Sequence, residues 1–250
     1  EPAGSGKFIA AVFRNPKLSD SVMRLLKDRK GLILGICNGF QALIKLGLVP
    51  FGEIRPIAED APTLTYNNIA RHVSCYVRTR VASRLSPWLS KCEIGQIHTI
   101  PVSHGEGKFV ASKEMLETLV KNGQVATQYV DLNGNPSADI RYNPNGSIQA
   151  IEGITSPCGL VFGKMGHTER FGSNVGKIEL YTFREIKSSR FLKAAWNISD
   201  KKETVFPFFE ADCFLVRLFV FRFIKNARGM RFFVKLQLFD LHCFVKYFKL

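Results

Sequence analysis

The sequence predicts an α/β protein with a mostly parallel sheet and added hairpins. Residues 18–30 alternate polar and apolar side chains at helical spacing, which predicts an amphipathic helix. Residues 31–36, GLILGI, form a short apolar run that is typical of a buried parallel strand. Residues 38–46 return to helical spacing, with Gly47 placed to end the helix.

Further strands and turns are predicted after this first unit. Apolar runs indicate strands at residues 74–81, 99–103, 125–130, 148–154 and 159–162. Stretches rich in Asn, Gly and Pro predict turns at residues 133–136 and 143–146. Helix and strand alternation followed by several strands favours a sheet that is extended by hairpins.

Composition excludes several classes of protein. With 46% hydrophobic residues among 250, the chain has enough apolar material for a packed core, so it is not disordered or fibrous. Its net charge of +14 is compatible with a polyanionic partner but does not establish one. Six scattered cysteines without a Cys-x-x-Cys pair indicate reduced thiols in a cytoplasmic protein. The most membrane-like stretch, residues 213–224, is too short and too charged to span a membrane.

The last 73 residues differ in character from the rest. Residues 178–250 hold 14 of the 21 Phe, and 14 Lys and Arg against 7 Asp and Glu. Half of the excess positive charge therefore lies in less than a third of the chain. Neither helical nor strand periodicity persists there, which predicts an irregular C-terminal tail of uncertain structure. A shifted reading frame is one explanation for such a tail.

Cys37 is the candidate nucleophile. Residues 35–39, GICNG, place it between a predicted strand and a predicted helix, in a G-x-nucleophile-x-G elbow. A nucleophile on so sharp a corner has a strained backbone, and flanking glycines avoid collisions. The helix N-terminus favours the thiolate, and the N–H of Asn38 points to where an oxyanion would form. The alternative is a buried structural cysteine in a tight turn.

His167 is the candidate base and Glu169 its orienting partner. Both follow the apolar run at residues 159–163, and residues two apart in extended chain face the same side. Open α/β sheets place their sites at the carboxyl ends of the strands, where this pair is predicted to lie. A pair on the protein surface is the alternative.

Two other motifs carry weaker signals. Residues 104–107, HGEG, predict either a loop that another group approaches closely or a simple polar turn. Residues 4–7, GSGK, resemble a phosphate-binding loop but fail its pattern, because Phe8 replaces the required Ser or Thr and no strand precedes them. No constellation of metal ligands is present in the sequence, so no metal site is predicted.

These motifs together resemble a known family. Residues 35–41, GICNGFQ, with a later His-x-Glu, are similar to the class I glutamine amidotransferases. Residues 71–74, RHVS, 101–107, PVSHGEG, and 163–170, GKMGHTER, resemble the glutaminase domains of phosphoribosylformylglycinamidine (FGAM) synthases, most closely the C-terminal part of the long single-chain form. The resemblance covers residues 1–177.

The resemblance implies a flavodoxin-like sheet with helices on both faces and a Cys-His-Glu triad. Cys37 would attack the side-chain amide carbon of L-glutamine to form a thioester, His167 would move the proton, and Glu169 would orient His167. The substrate-binding residues would be Gln41, Asn38 and Gly39.

The same resemblance implies partners and cofactors. Ammonia would pass to a synthetase domain, where ATP and magnesium drive a ligase reaction of purine biosynthesis. No cofactor would bind in the glutaminase domain, and neither a membrane nor nucleic acid is an expected partner.

Two departures from the family pattern lead to further expectations. The family's first strand, helix and oxyanion loop would precede Glu1, so residues 1–177 are interpreted as an N-terminally truncated glutaminase domain. Residues 178–250 have no recognised counterpart. The alternatives are another Cys-dependent hydrolase of related fold, or an inactive fragment whose basic tail binds nucleic acid.

Overall fold

A computed structural model describes residues 4–170 and the backbone of four later segments, residues 206–212, 215–221, 224–226 and 229–231. The described helices are Ser5–Phe13 (α1), Pro16–Lys27 (α2), Asn38–Leu46 (α3), the short turn Leu48–Phe51 (α4) and Lys113–Lys121 (α5). Short 3-10 turns lie at Pro87–Leu89 and Ile148–Ala150. The described strands are Ile33–Ile36 (β1), Thr63–Tyr66 (β2), Val73–Val81 (β3), Ile97–His104 (β4), Glu106–Val110 (β5), Val125–Tyr129 (β6), Ile151–Thr155 (β7), Val161–Lys164 (β8), Phe206–Asp212 (β9), Leu215–Phe221 (β10), Ile224–Asn226 (β11) and Gly229–Arg231 (β12).

The α/β class is confirmed, and the first predicted unit is present. The predicted helix at residues 18–30 is α2, and the run at residues 31–36 contains β1. The helix α3 has the predicted bounds and ends at Gly47, whose φ of 85° is left-handed. The structure adds α1, α5 and the pair β2–β5, none of which the sequence patterns indicated.

The large sheet is mixed, which corrects the expectation of a mostly parallel one. Its described strands lie in the order β10-β9-β1-β8-β7-β6-β3-β4. Both described parallel pairings of this sheet involve β1, with β8 and with β9, while its other five described pairings are antiparallel. The physical reason is the connections, because a short link such as residues 156–160 between β7 and β8 reverses the chain, whereas a parallel crossover needs a dozen or more residues.

The expectation of an irregular tail is also corrected in part. Strand β9 pairs in parallel with β1, with Leu34 opposite Phe208, and β10 pairs antiparallel with β9. Strand β9 thereby provides hydrogen-bond partners for the edge of β1 that faces away from β8. The predicted boundary at residue 177 lies outside the described residues.

Close packing places the N-terminal end of α3 directly on β1 and β8. A Cβ atom on Gly35 would lie 2.7 Å from the main-chain carbon of Gly39, and one on Gly163 would lie 2.8 Å from a ring carbon of Phe40. Phe40 is fully buried in the main hydrophobic cluster. Because Gly35 and Gly163 carry no side chain, α3 packs closely on both strands, and the corner at Cys37 is held against the sheet.

In the described part of the chain, no helix combines the length and the apolar character that a membrane crossing requires.

Candidate active site

Cys37 forms the predicted corner between β1 and α3, with a strained backbone. Its φ of 54° and ψ of −106° lie in a region that non-glycine residues rarely occupy. Its N–H donates a hydrogen bond to the carbonyl oxygen of Lys164 at 2.9 Å, and its carbonyl accepts one from the N–H of Gln41 at 3.1 Å. These bonds fix the corner to β8 on one side and to the first turn of α3 on the other.

The thiol of Cys37 is buried and faces the strand β4. Its Sγ lies 3.6 Å from the carbonyl oxygen of Ser103, toward which the S–H donates. Because Cys37 is the N-terminal cap of α3, the helix dipole stabilises negative charge at this position. The N–H of Cys37 is used by Lys164, so an oxyanion donor at this corner would come from a later residue.

The structure brings His167 and Glu169 into direct contact. The Nδ1 atom of His167 lies 2.5 Å from Oε1 of Glu169, with His167 buried and Glu169 mostly so. The guanidinium of Arg170 is 3.9 Å from the same carboxylate oxygen. Within the described residues, Nε2 of His167 is buried without a hydrogen-bond partner. The carboxylate therefore engages one ring nitrogen and leaves the other for a different group.

Strand β4 contacts both halves of the predicted triad. The carbonyl of Pro101 accepts a hydrogen bond from the N–H of His167 at 2.9 Å, and the carbonyl of Ser103 faces the thiol of Cys37. In the order of the large sheet, β4 lies at the opposite end from β1 and β9. The sheet must therefore curl until the free edge of β4 approaches the end of β8.

Residues 104–107 are a joint between two strands, held by a buried polar network. His104 ends β4, Glu106 begins β5, and Gly105 connects them. The Nδ1 atom of buried His104 lies 3.1 Å from Oδ1 of Asn67, which also accepts from the N–H of Gly107. Burial, and then the charges of nearby histidines, lower the pKa of His104 to about 4. Gly107 packs closely on the His104 ring, since a Cβ on Gly107 would lie 2.5 Å from its Nδ1, and this close approach comes from within the motif.

The residues expected to bind substrate lie in the first turn of α3. Asn38 and Gln41 are buried, and Gly39 packs against Gly35. The amide of Gln41 donates a hydrogen bond to the carbonyl of Glu106 at 2.8 Å, which ties α3 to β5. The substrate-binding role of Gln41, Asn38 and Gly39 stays a prediction.

Sequence reasoning missed a buried charged pair behind the site. Glu152 in β7 and Lys164 at the end of β8 are both fully buried, and Nζ of Lys164 lies 3.7 Å from Oε1 of Glu152. A charged residue inside an otherwise apolar strand was the available signal, since such residues are rarely buried unless paired. Across the described residues, no group of three or more His, Cys, Asp or Glu side chains could hold a metal ion.

Comparison with known proteins gives the family. Residues 1–194 match the CobB/CobQ-like glutamine amidotransferase domain. The chain belongs to this family.

Similar proteins narrow the relationship. The chain is 40% identical over 138 residues to phosphoribosylformylglycinamidine synthase subunit PurQ of Thermomicrobium roseum, covering 55% of this chain and 53% of that protein. It is 37% identical over 160 residues to PurQ of Salinibacter ruber, covering 64% and 62%. The chain thus spans less than two thirds of the length of these relatives.

A solved structure supports the same fold. The structure of PurLQS from Thermotoga maritima matches 76% of this chain and 71% of its own, with a TM-score of 0.53 and 26% identity. Because the similar sequences are named as subunits, the closer resemblance to the long single-chain form stays a prediction.

Proposed function

We propose that this amidotransferase chain hydrolyses L-glutamine to glutamate and ammonia, as the glutaminase component of FGAM synthase. Similarity to PurQ proteins supports the assignment to this enzyme of purine biosynthesis. The observation that carries the chemistry is the placement of Cys37 and the His167–Glu169 pair against two carbonyls of one strand, β4.

In the proposed first half-reaction, the thiolate of Cys37 attacks the amide carbon of glutamine. The C–S bond forms as the carbonyl electrons move onto oxygen, and the C–N bond then breaks as His167 gives its proton to the departing nitrogen. Ammonia leaves, and a γ-glutamyl thioester stays on Cys37. Glu169 stabilises the protonated imidazole and keeps the neutral ring in the tautomer that carries its proton on Nδ1, because its carboxylate accepts the hydrogen bond from Nδ1.

In the second half-reaction, water attacks the thioester carbon. His167, now neutral, takes a proton from the water through Nε2, so the C–O bond forms and the C–S bond breaks. Glutamate leaves, and the thiolate and the protonated imidazole are regenerated. The strained corner at Cys37 supports both steps, since it presents the sulfur at the N-terminus of α3.

The ammonia would be used by a synthetase partner that binds ATP and magnesium and converts formylglycinamide ribonucleotide to the amidine. The similar structure from Thermotoga maritima is named PurLQS, which is compatible with such an assembly. We place this reaction in the cytoplasm.

Glutamate release by the full chain, with and without a synthetase protein, tests the proposal. We expect Cys37→Ala to abolish glutamine-dependent release, while Cys158→Ala, which changes an exposed cysteine, leaves it intact. Undiminished release by the Cys37→Ala variant would contradict the proposal.

A chloroketone analogue of glutamine separates this function from another Cys-dependent hydrolase. We expect it to alkylate Cys37 and to be blocked by excess glutamine. Alkylation of Cys37 by iodoacetamide but not by the analogue would favour the other hydrolase.

A further inference from the structure

We infer that Glu152 is a positioning residue that, together with Lys164, fixes the position of His167 relative to Cys37. This inference rests on the proposed function, because it concerns the two groups that would carry glutamine hydrolysis. Neither Glu152 nor Lys164 belongs to the predicted triad, and neither is among the residues expected to bind substrate.

Glu152 accepts hydrogen bonds from the two residues just before His167. Its carboxylate oxygen Oε1 accepts a hydrogen bond from the N–H of Gly166 at 2.6 Å, and its main-chain carbonyl accepts one from the N–H of Met165 at 3.2 Å. The pairing of β8 with β7 ends at Lys164. Glu152 therefore supplies the acceptors for the two N–H groups that follow the last ladder position.

Gly166 is required for this approach. A Cβ atom there would lie 3.0 Å from Oε1 of Glu152 and 2.9 Å from Cγ1 of Ile100 in β4. The segment between β8 and His167 is thus pressed between β7 and β4 and is fixed by the carboxylate.

Lys164 connects the same carboxylate to the nucleophile. Its ammonium lies 3.7 Å from Oε1 of Glu152, and its carbonyl accepts the hydrogen bond from the N–H of Cys37. A continuous path of contacts therefore runs from Cys37 through Lys164 and Glu152 to Gly166, the residue before His167. One end of the path is the proposed nucleophile, and the other end is the residue next to the proposed base.

The burial of these charges argues for a role beyond packing. A buried ion pair loses its hydration, and apolar residues of similar volume often stabilise a fold as well or better. A carboxylate offers what an apolar residue cannot, namely short charge-assisted hydrogen bonds of defined direction. The hydroxyl of Thr127 also donates to the second oxygen of Glu152, which fixes the carboxylate plane.

The test compares two double variants of the full chain that both lack the buried charges. Glu152→Gln with Lys164→Met keeps an acceptor for Gly166, whereas Glu152→Leu with Lys164→Met removes it. The measurements are the rate and pH profile of iodoacetamide alkylation at Cys37, followed by mass spectrometry, and kcat and KM for glutamine. The exposed pair Lys113–Glu117, at 4.0 Å, provides the control as Lys113→Met with Glu117→Gln.

We expect the Leu-containing variant to lose about 10-fold or more in both alkylation rate and kcat relative to the Gln-containing one, with KM changed less than about 3-fold. The rising limb of its alkylation profile should move to higher pH, because a displaced imidazolium stabilises the thiolate less. The control pair should leave all of these values unchanged.

A second variant covers the case in which the Leu-containing protein does not fold. Glu152→Asp keeps the charge but shortens the reach to Gly166, and it is expected to lower the alkylation rate in a protein that is still folded. Equal rates and pH profiles in the two double variants, or an undiminished rate in a folded Glu152→Asp protein, would overturn the inference. Alkylation needs no glutamine turnover, so it tests the inference separately from the proposed function. If the variants lose Cys37 reactivity as expected but the wild-type chain hydrolyses no glutamine, only the proposed function is contradicted.

Discussion

The backbone N–H of Cys37 and the carbonyl oxygen of Lys164 are 2.9 Å apart and form a hydrogen bond across the ends of β1 and β8. This bond extends the parallel pairing of the two strands by one residue, up to the strained corner. It therefore couples the geometry of the candidate nucleophile to the strand that leads to His167.

Replacement of Cys37 by two small residues should separate backbone strain from side-chain packing. Both Cys37→Gly and Cys37→Ala remove the thiol, but only glycine adopts a φ of 54° without steric strain. We expect the glycine variant to be more stable by about 1 kcal/mol, since such strain costs roughly 1–3 kcal/mol and glycine loses part of this gain to unfolded-chain entropy. Urea denaturation of both variants measures the difference. An alanine variant as stable as the glycine variant would mean that the corner is not strained.

Glu169→Gln should impair proton transfer without impairing binding. An amide in place of the carboxylate can no longer stabilise a protonated His167, and its NH₂ group can favour the wrong tautomer. We expect kcat for glutamine to fall by roughly 100-fold or more, with little change in KM. Steady-state kinetics of glutamate release test this expectation. A change confined to KM would assign Glu169 to substrate binding instead.

The buried imidazole of His104 should make the protein sensitive to acid. Its folded-state pKa of about 4 lies below its ordinary value of 6.5. Between these two pH values the imidazole is protonated in the unfolded chain and neutral in the folded protein. The stability contribution of neutral His104 is complete above pH 6.5 and is lost as the pH falls towards 4. The loss across this window is roughly 3 kcal/mol.

Urea denaturation between pH 7 and about pH 4.5, within the range where His104 titrates, measures that contribution. We expect His104→Gln to flatten the fall in stability, whereas His72→Gln, at an exposed position, should keep most of it. Identical slopes for the wild-type and His104→Gln proteins would show that His104 is not the acid-sensitive group.

Two glycines of the same joint should tolerate alanine very differently. A Cβ on Gly107 would collide with the buried ring of His104, whereas one on Gly105 would meet no atom within 4 Å. We expect Gly107→Ala to lower the free energy of unfolding by about 1–3 kcal/mol and Gly105→Ala to change it by less than about 0.5 kcal/mol. Thermal and urea denaturation compare the two variants. Similar effects at both positions would contradict the close packing of His104 on Gly107.

Local patterns were sufficient to predict the elbow and its neighbours. The run at residues 31–36, the corner at Cys37 and the helix at residues 38–46 are contiguous in sequence, and each follows from spacing and glycine placement alone. The two-residue spacing predicted that His167 and Glu169 face the same side, whereas the orienting contact between them was implied by the family resemblance. The strands β2 and β5 were missed because each is short and only partly buried, so neither shows a strong apolar pattern. Among the described strands, they pair with each other alone.

Strand direction and the partners of β1 could not be predicted in this way. The expectation of a mostly parallel sheet assumed that the later strands follow the direction of the first strand–helix unit. Their connections are too short for parallel crossovers. The strands β9 and β10 were hidden because their Phe-rich runs contain single charged residues and match neither template for long.

By itself, the sequence determined the α/β class, the cysteine elbow and the identity of the His-x-Glu pair, because local spacing encodes all three. Only the tertiary structure decided that β4 contacts both Cys37 and His167, and that Glu152 and Lys164 connect Cys37 to the residue before His167. Those contacts link residues from 12 to 127 positions apart, between Glu152 and Lys164 and between Cys37 and Lys164. Such contacts depend on how the strands twist and pair, a property of the assembled sheet that no single segment of sequence contains.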